Sequence, residues 1–217
     1  MSDRVPLILD VDTGIDDSLA LLYAAASAEA NLVAVTCVSG NVEARQVATN
    51  TLAVLELAGR TDIEVAIGRE VPLVRPLETT PETHGPDGIG HARLPPPSRP
   101  VSDRHGVDVI VEEARRLTGE VTLVTLGPLT NVAVALEREP ALPRLLRGLV
   151  SMGGAFGVPG NTTPTISLGP KRCPCKTPIE NVVIGTRLMN STPFAEPNAP
   201  MPAFQASTAR TPATSDR

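Results

Sequence analysis

The chain has 217 residues, 41% of them apolar, and a net charge of −5. That length suits one domain of ordinary size with a tail, and the acidic balance leaves no electrostatic footprint for nucleic acid. No apolar run is long enough to span a bilayer, and no basic segment followed by an apolar one opens the chain as a secretory signal would. Cys37, Cys173 and Cys175 make no disulfide framework, so a cytoplasmic protein is expected.

The first element is a short apolar run, Val5, Leu7, Ile8 and Leu9, read as a buried strand that ends in Asp10-Val11-Asp12. Thr13 and Gly14 turn the chain, and residues 15–26 read as a helix with Leu19, Leu22 and Tyr23 on one face. Asp10, Asp12, Asp16 and Asp17 therefore crowd the carboxyl end of one strand and the first turn of the next helix. In an open α/β sheet that is where ligands bind. Strand alternation puts Asp10 and Asp12 on one side and Val11 on the other. Like charges this close raise one another's pKa. The helix N-terminus offsets this for Asp16 and Asp17, and a hard divalent cation such as Ca²⁺ or Mg²⁺ would offset the rest. A simple helix cap needs one acid rather than four.

Residues 32–38 form a second apolar strand of the buried parallel kind. It ends at Ser39-Gly40-Asn41, and a helix follows over about 43–58. Asn41 thus lies at the same carboxyl edge as the aspartates, although spacing alone reads it equally well as a cap. Residues 63–67 read as a third strand. Residues 71–100 are irregular and proline-rich, and contain Thr83-His84-Gly85-Pro86-Asp87-Gly88-Ile89-Gly90. These glycines let the backbone take positive φ and approach a ligand. His84 is the histidine whose context suggests function; His91 and His105 read as solvated. Val107, Ile110, Val111, Ala114 and Leu117 follow helical spacing, and Gly119 ends that helix. Residues 121–126 are a buried strand, Gly127-Pro128-Leu129-Thr130-Asn131 opens a helix over 132–139, and Thr130 and Asn131 read as caps of that turn. A strand over 149–152 leads into a glycine-rich segment, 153–164.

These segments together resemble the calcium-dependent, inosine/uridine-preferring nucleoside hydrolases. Asp10-Val11-Asp12-Thr13-Gly14-Ile15-Asp16-Asp17 resembles the family's amino-terminal signature, Val38-Ser39-Gly40-Asn41 its V-x-G-N segment, and 84–90 its H-G-x-x-G-[LI]-G loop. Thr125-Leu126-Gly127-Pro128-Leu129-Thr130-Asn131 and the segment from Met152 to Pro164 match in the same order. The resemblance implies an open, mostly parallel α/β sheet flanked by helices, with a Rossmann-like core. It implies hydrolysis of the N-glycosidic bond of a ribonucleoside to base and ribose by a calcium-bound water. Asp12 would activate that water and bind the metal together with Asp17, the carbonyl of Leu126 and, from behind, Asp10. Asp16, Asn41, Met152 and Asn161 would hold the ribose, and His84 would orient an aspartate or assist the leaving base. Family members commonly assemble as homo-oligomers.

The match stops near residue 164. The family continues with V-A-E-F-N, where this chain has Thr165-Ile166-Ser167-Leu168, and later with a His-Asp pair that has no counterpart after Asn161. The resemblance therefore predicts an incomplete family domain over 1–164, an under-coordinated metal, and weak or absent turnover. Residues 165–217 are rich in Pro, Thr, Ser and Ala without periodicity, which predicts a disordered tail. Two other readings follow from the same residues. Asp10-Val11-Asp12-Thr13 also imitates the D-x-D-x-[TV] motif of haloacid-dehalogenase phosphatases, with Asp10 as nucleophile. A catalytically silent fragment that binds calcium or ribose is the other.

Overall fold

The computed structural model describes residues 4–152. The elements run β1 (Val5–Val11), α1 (Ile15–Ala26), β2 (Ala30–Cys37), α2 (Ala44–Leu57), β3 (Glu64–Ile67), α3 (Pro81–His84), α4 (Gly106–Arg116), β4 (Thr122–Thr125), α5 (Thr130–Arg138), α6 (Leu142–Leu145) and β5 (Gly148–Ser151). The strands form one five-stranded sheet in the order β3-β2-β1-β4-β5, and every pairing is parallel. The sheet is thus the open parallel kind expected. The expected tail over 165–217 and Asn161 lie outside the described residues.

Strand alternation distributes the core between the two faces of the sheet. Leu9, Val11, Leu32, Val35 and Val65 pack with Leu21 of α1 and with Val47, Val54 and Leu55 of α2. Ile8 and Leu123 point the other way, against Val107 and Ile110 of α4, Val132 and Ala135 of α5, and Leu142 of α6. Each fully buried Leu or Ile contributes roughly 1.5–3 kcal/mol. The chain adds strands outward from β1 in one direction to β3, then returns to β1's other side with β4. The switch point lies between β1 and β4, and in this topology the ligand crevice opens outside the carboxyl ends of those strands.

Three expectations need correction. The inward face of α1 is Asp17, Leu21 and Ala24, whereas Leu19 and Tyr23 are 65% and 78% exposed. The reason is the first turn: Asp17 faces the strand end, so residues four and seven further on follow it inward. Asn131 is fully buried inside α5 and Thr130 is its first residue, so neither is a cap. His105 is not merely solvated, because its Nδ1 accepts the Val107 N–H at the start of α4, 3.2 Å away. The four-residue helices α3 and α6 are too short to leave a periodic pattern. Among the described residues no helix is long and apolar enough to cross a membrane.

Candidate active site

Asp10 is the last polar position inside β1, paired in register with Thr36 of β2 and Thr125 of β4. Its Oδ1 accepts the Thr36 hydroxyl at 2.6 Å and the Asn131 amide at 2.8 Å. Its Oδ2 is buried with no donor among the described residues. Burial pushes the Asp10 carboxyl up to about 7, against the pull of the Asn131 and Thr36 hydrogen bonds.

Asp12 follows the strand, and its Oδ2 accepts the backbone N–H of Asn41 at 2.9 Å. Two glycines make room for it. A Cβ on Gly40 would stand 2.1 Å from Asp12 Oδ2, and one on Gly127 would stand 3.0 Å from Oδ1. Asp17 turns inward from α1 and accepts the Gly14 N–H through Oδ2 at 3.3 Å, leaving its Oδ1 buried without a donor. Burial raises the pKa of both Asp12 and Asp17; the Asp17 charge raises Asp12 further, and Asp16 does the same to Asp17. Asp16 sits at the exposed rim.

Asn41 joins the cluster from the β2 end. Its Nδ2 donates to the Asp12 carbonyl at 3.3 Å, and its Oδ1 accepts the Thr80 hydroxyl at 3.0 Å. His84, at the end of α3, comes over the same turn and takes the Ile15 N–H on Nδ1 at 3.2 Å. That acceptor role puts the ring proton on Nε2. The Asp16 carboxylate, 3.9 Å from the same Nδ1, therefore has no proton to share there. Gly14 separates His84 from Asn41, since a Cβ on it would meet both at 2.6 Å. Gly85, Gly88 and Gly90 all take positive φ, at 79°, 84° and 64°, as expected for a loop laid closely on the site.

Leu126 is half-buried beyond β4, with its N–H on the Asp10 carbonyl at 2.8 Å. Met152 is 48% exposed just after β5, with its N–H on the Thr125 carbonyl, so it is not a core residue. Asp10, Asp12, Asp16, Asp17, Asn41 and His84 thus gather around one strand end, and Leu126 joins them from β4.

Sequence reasoning missed the polar groups that hold this arrangement. Asn131 donates to Asp10 and to the Cys37 carbonyl (3.3 Å) and accepts the Arg69 N–H (2.7 Å), thereby tying three strand ends together. Thr13 and Thr51 share a 2.6 Å hydroxyl contact. The usable signal was an asparagine or threonine at an otherwise apolar inward position, as at Asn50 and Thr51 among Val47 and Val54, because such residues are seldom buried without a task.

The donor set suits a hard cation in kind. It is made of oxygens, and two buried carboxylate oxygens, Asp10 Oδ2 and Asp17 Oδ1, lack donors among the described residues, a costly state unless a positive charge faces them. Among the described residues no three His, Cys, Asp or Glu side chains stand close enough together to hold a metal ion by themselves.

Comparison with known proteins bears on the family and the fold. The model of the inosine-uridine preferring nucleoside hydrolase family matches residues 7–167. A probable uridine nucleosidase 2 of Arabidopsis thaliana is 39% identical over 166 residues, covering 76% of this chain and 52% of the relative. The pyrimidine-specific ribonucleoside hydrolase RihA of an Enterobacter strain is 42% identical over 160 residues, 74% of this chain and 51% of the relative. A solved purine-preferring ribonucleoside hydrolase from Gardnerella vaginalis superposes with a TM-score of 0.69 at 36% identity, covering 72% of this chain and 51% of that one. The chain spans about half the length of the relatives it matches. With the acidic strand end, the parallel sheet and these matches in agreement, the chain belongs to the inosine-uridine preferring nucleoside hydrolase family.

Proposed function

We propose that this chain hydrolyses the N-glycosidic bond of a ribonucleoside, releasing free base and ribose. The observation that carries the reading is the pair of buried carboxylate oxygens on Asp10 and Asp17 that find no donor among the described residues, set at the switch point of a parallel sheet. Asp10, Asp12, Asp17 and the carbonyl of Leu126 would hold calcium, a cation that takes oxygen ligands. When bound, that ion lets these carboxylates stay ionised together, lowers the pKa of water and orients ribose hydroxyls.

The chain's own groups then divide the work. Asp12 takes the proton of the attacking water, and its carboxylate is held in place by the Asn41 N–H. Departure of the base leaves an oxocarbenium-like sugar. Asp16 at the rim accepts a ribose hydroxyl, and the remaining Nδ2–H of Asn41 donates to one. Met152 lies against the sugar, and Asn161 completes its hydrogen bonding. His84 presents its Nε2–H toward the leaving base. The relatives include uridine nucleosidases and a purine-preferring enzyme, so the proposal names ribonucleosides as a class. It extends to a family domain over 1–164 followed by a separate tail, a cytoplasmic location and homo-oligomeric assembly.

The test is release of reducing sugar from inosine and from uridine, with and without a calcium chelator. Chelation and Asp12→Ala should each abolish release; unchanged release from Asp12→Ala removes Asp12 as the base. Free phosphate from a phosphomonoester would instead favour the phosphatase chemistry of Asp10. One further reading is favoured by the half-length coverage: a silent fragment that binds calcium without turnover. A calcium-dependent rise in melting temperature with no sugar released would identify it.

A further inference from the structure

The inward stripe of α2 is apolar except at two consecutive positions, Asn50 and Thr51, which are 3% and 0% exposed. A buried primary amide is tolerated when its donors and acceptor all find partners. Asn50 meets that condition. Its Oδ1 accepts the Gln46 amide at 2.9 Å, and its Nδ2 donates to the Asp87 carbonyl at 2.7 Å and to the Thr13 carbonyl at 3.4 Å. Turning the amide over would set oxygen against two carbonyls, so this set of partners fixes its orientation.

The two carbonyls belong to different halves of the site. Thr13 directly follows Asp12, in the turn that carries the carboxylates. Asp87 lies in the loop that begins at His84. That loop is folded on itself by Gly88 N–H to the Gly85 carbonyl at 3.1 Å and Gly90 N–H to the His84 carbonyl at 2.6 Å. It rests directly on Asn50, since a Cβ on Gly88 would stand 3.2 Å from Asn50 Nδ2. Among the described residues the imidazole makes one hydrogen bond to the carboxylate turn, from the Ile15 N–H to Nδ1 at 3.2 Å, with the Asp16 carboxylate 3.9 Å from the same atom. The His84 side chain is only 15% exposed, and its loop is backed by the buried Asn50 amide.

We propose that Asn50 is a positioning residue for His84, its amide tying the Asp87 carbonyl to the Thr13 carbonyl so that the histidine loop and the carboxylate turn form one unit. Asn50 touches no substrate. The inference rests on the proposed role of His84 at the leaving base. A leucine at this position fills the space but leaves both carbonyls without a donor. Removing the Gln46 amide leaves Asn50 Oδ1 without its donor and loosens the same clamp less severely.

The experiment uses the full chain with ¹⁵N-labelled histidine. Long-range ¹H–¹⁵N spectra report the tautomer of each of the three imidazoles. In the native chain His84 should show one fixed tautomer, with the proton on Nε2. In Asn50→Leu, with folding verified by circular dichroism, His84 should move to the averaged tautomer signals of exposed His91. Gln46→Ala should shift it part of the way. For inosine or uridine, kcat in Asn50→Leu should fall roughly tenfold to a hundredfold while KM changes little, as for a misplaced catalytic group. A merely structural role would lower the melting temperature and leave the His84 tautomer unchanged. Native His84 signals in folded Asn50→Leu overturn the proposal; so do native signals in Gln46→Ala if Asn50→Leu does not fold. Absence of turnover in the native chain would defeat the proposed reaction while the tautomer measurement still decides the clamp.

Discussion

The two oxygens of Asp10 face different surroundings, and the difference can be measured. Oδ1 is fully engaged by Thr36 and Asn131, while Oδ2 is bare. The unfolded chain releases this proton near 3.8, and the folded chain holds it up to about 7. Between those values the folded state binds more protons than the unfolded one, so stability falls as pH rises through that window. Without divalent cation, the melting temperature should therefore be higher at pH 5 than at pH 8, with Asp10 contributing about 3 kcal/mol over that interval and buried Asp12 and Asp17 acting in the same direction. A flat profile would show that Asp10 stays solvated. Asn131→Leu removes the donor to Asp10 and the acceptor for the Arg69 N–H; it should cost about 2–4 kcal/mol in urea unfolding. The acidic residues of this site were legible in the sequence because four carboxylates at one strand end have no ordinary structural use. Asn131 was not legible. It stands 121 residues from Asp10, and a local pattern cannot distinguish an asparagine that caps a turn from one driven into the core.

At the scale of elements, the long apolar runs announced β1, β2, α2 and α4 to within a residue or two. The same runs did not say which side of α1 would face inward, because leucines and alanines occur all round it. One charged residue, Asp17, decided the matter. The strand at the far side, β5, pairs only with β4 among the described residues, and its Val150 is 39% exposed. An open strand edge with an apolar side chain invites pairing between molecules. Val150→Lys should lower concentration-dependent light scattering of the purified chain without changing its far-ultraviolet circular dichroism. Equal scattering would place the sticking surface elsewhere, with exposed Leu19 and Tyr23 of α1 next to be examined by the same substitution.

Across the whole molecule, β1 is the strand on which everything else depends. It pairs on one side with β2, which follows it closely, and on the other with β4, where Leu9 meets Val124. Contacts between residues so far apart in sequence form slowly, because a long loop must close before they exist. The geometry of the cluster is therefore not a local property of the acidic signature: a peptide of the first thirty or so residues would carry all four of its aspartates and still lack the threonine, asparagines and histidine that aim them. The cluster is a late product of folding, and a nascent chain emerging from the ribosome cannot assemble it until its fourth strand arrives and brings Leu126 and Asn131 onto Asp10.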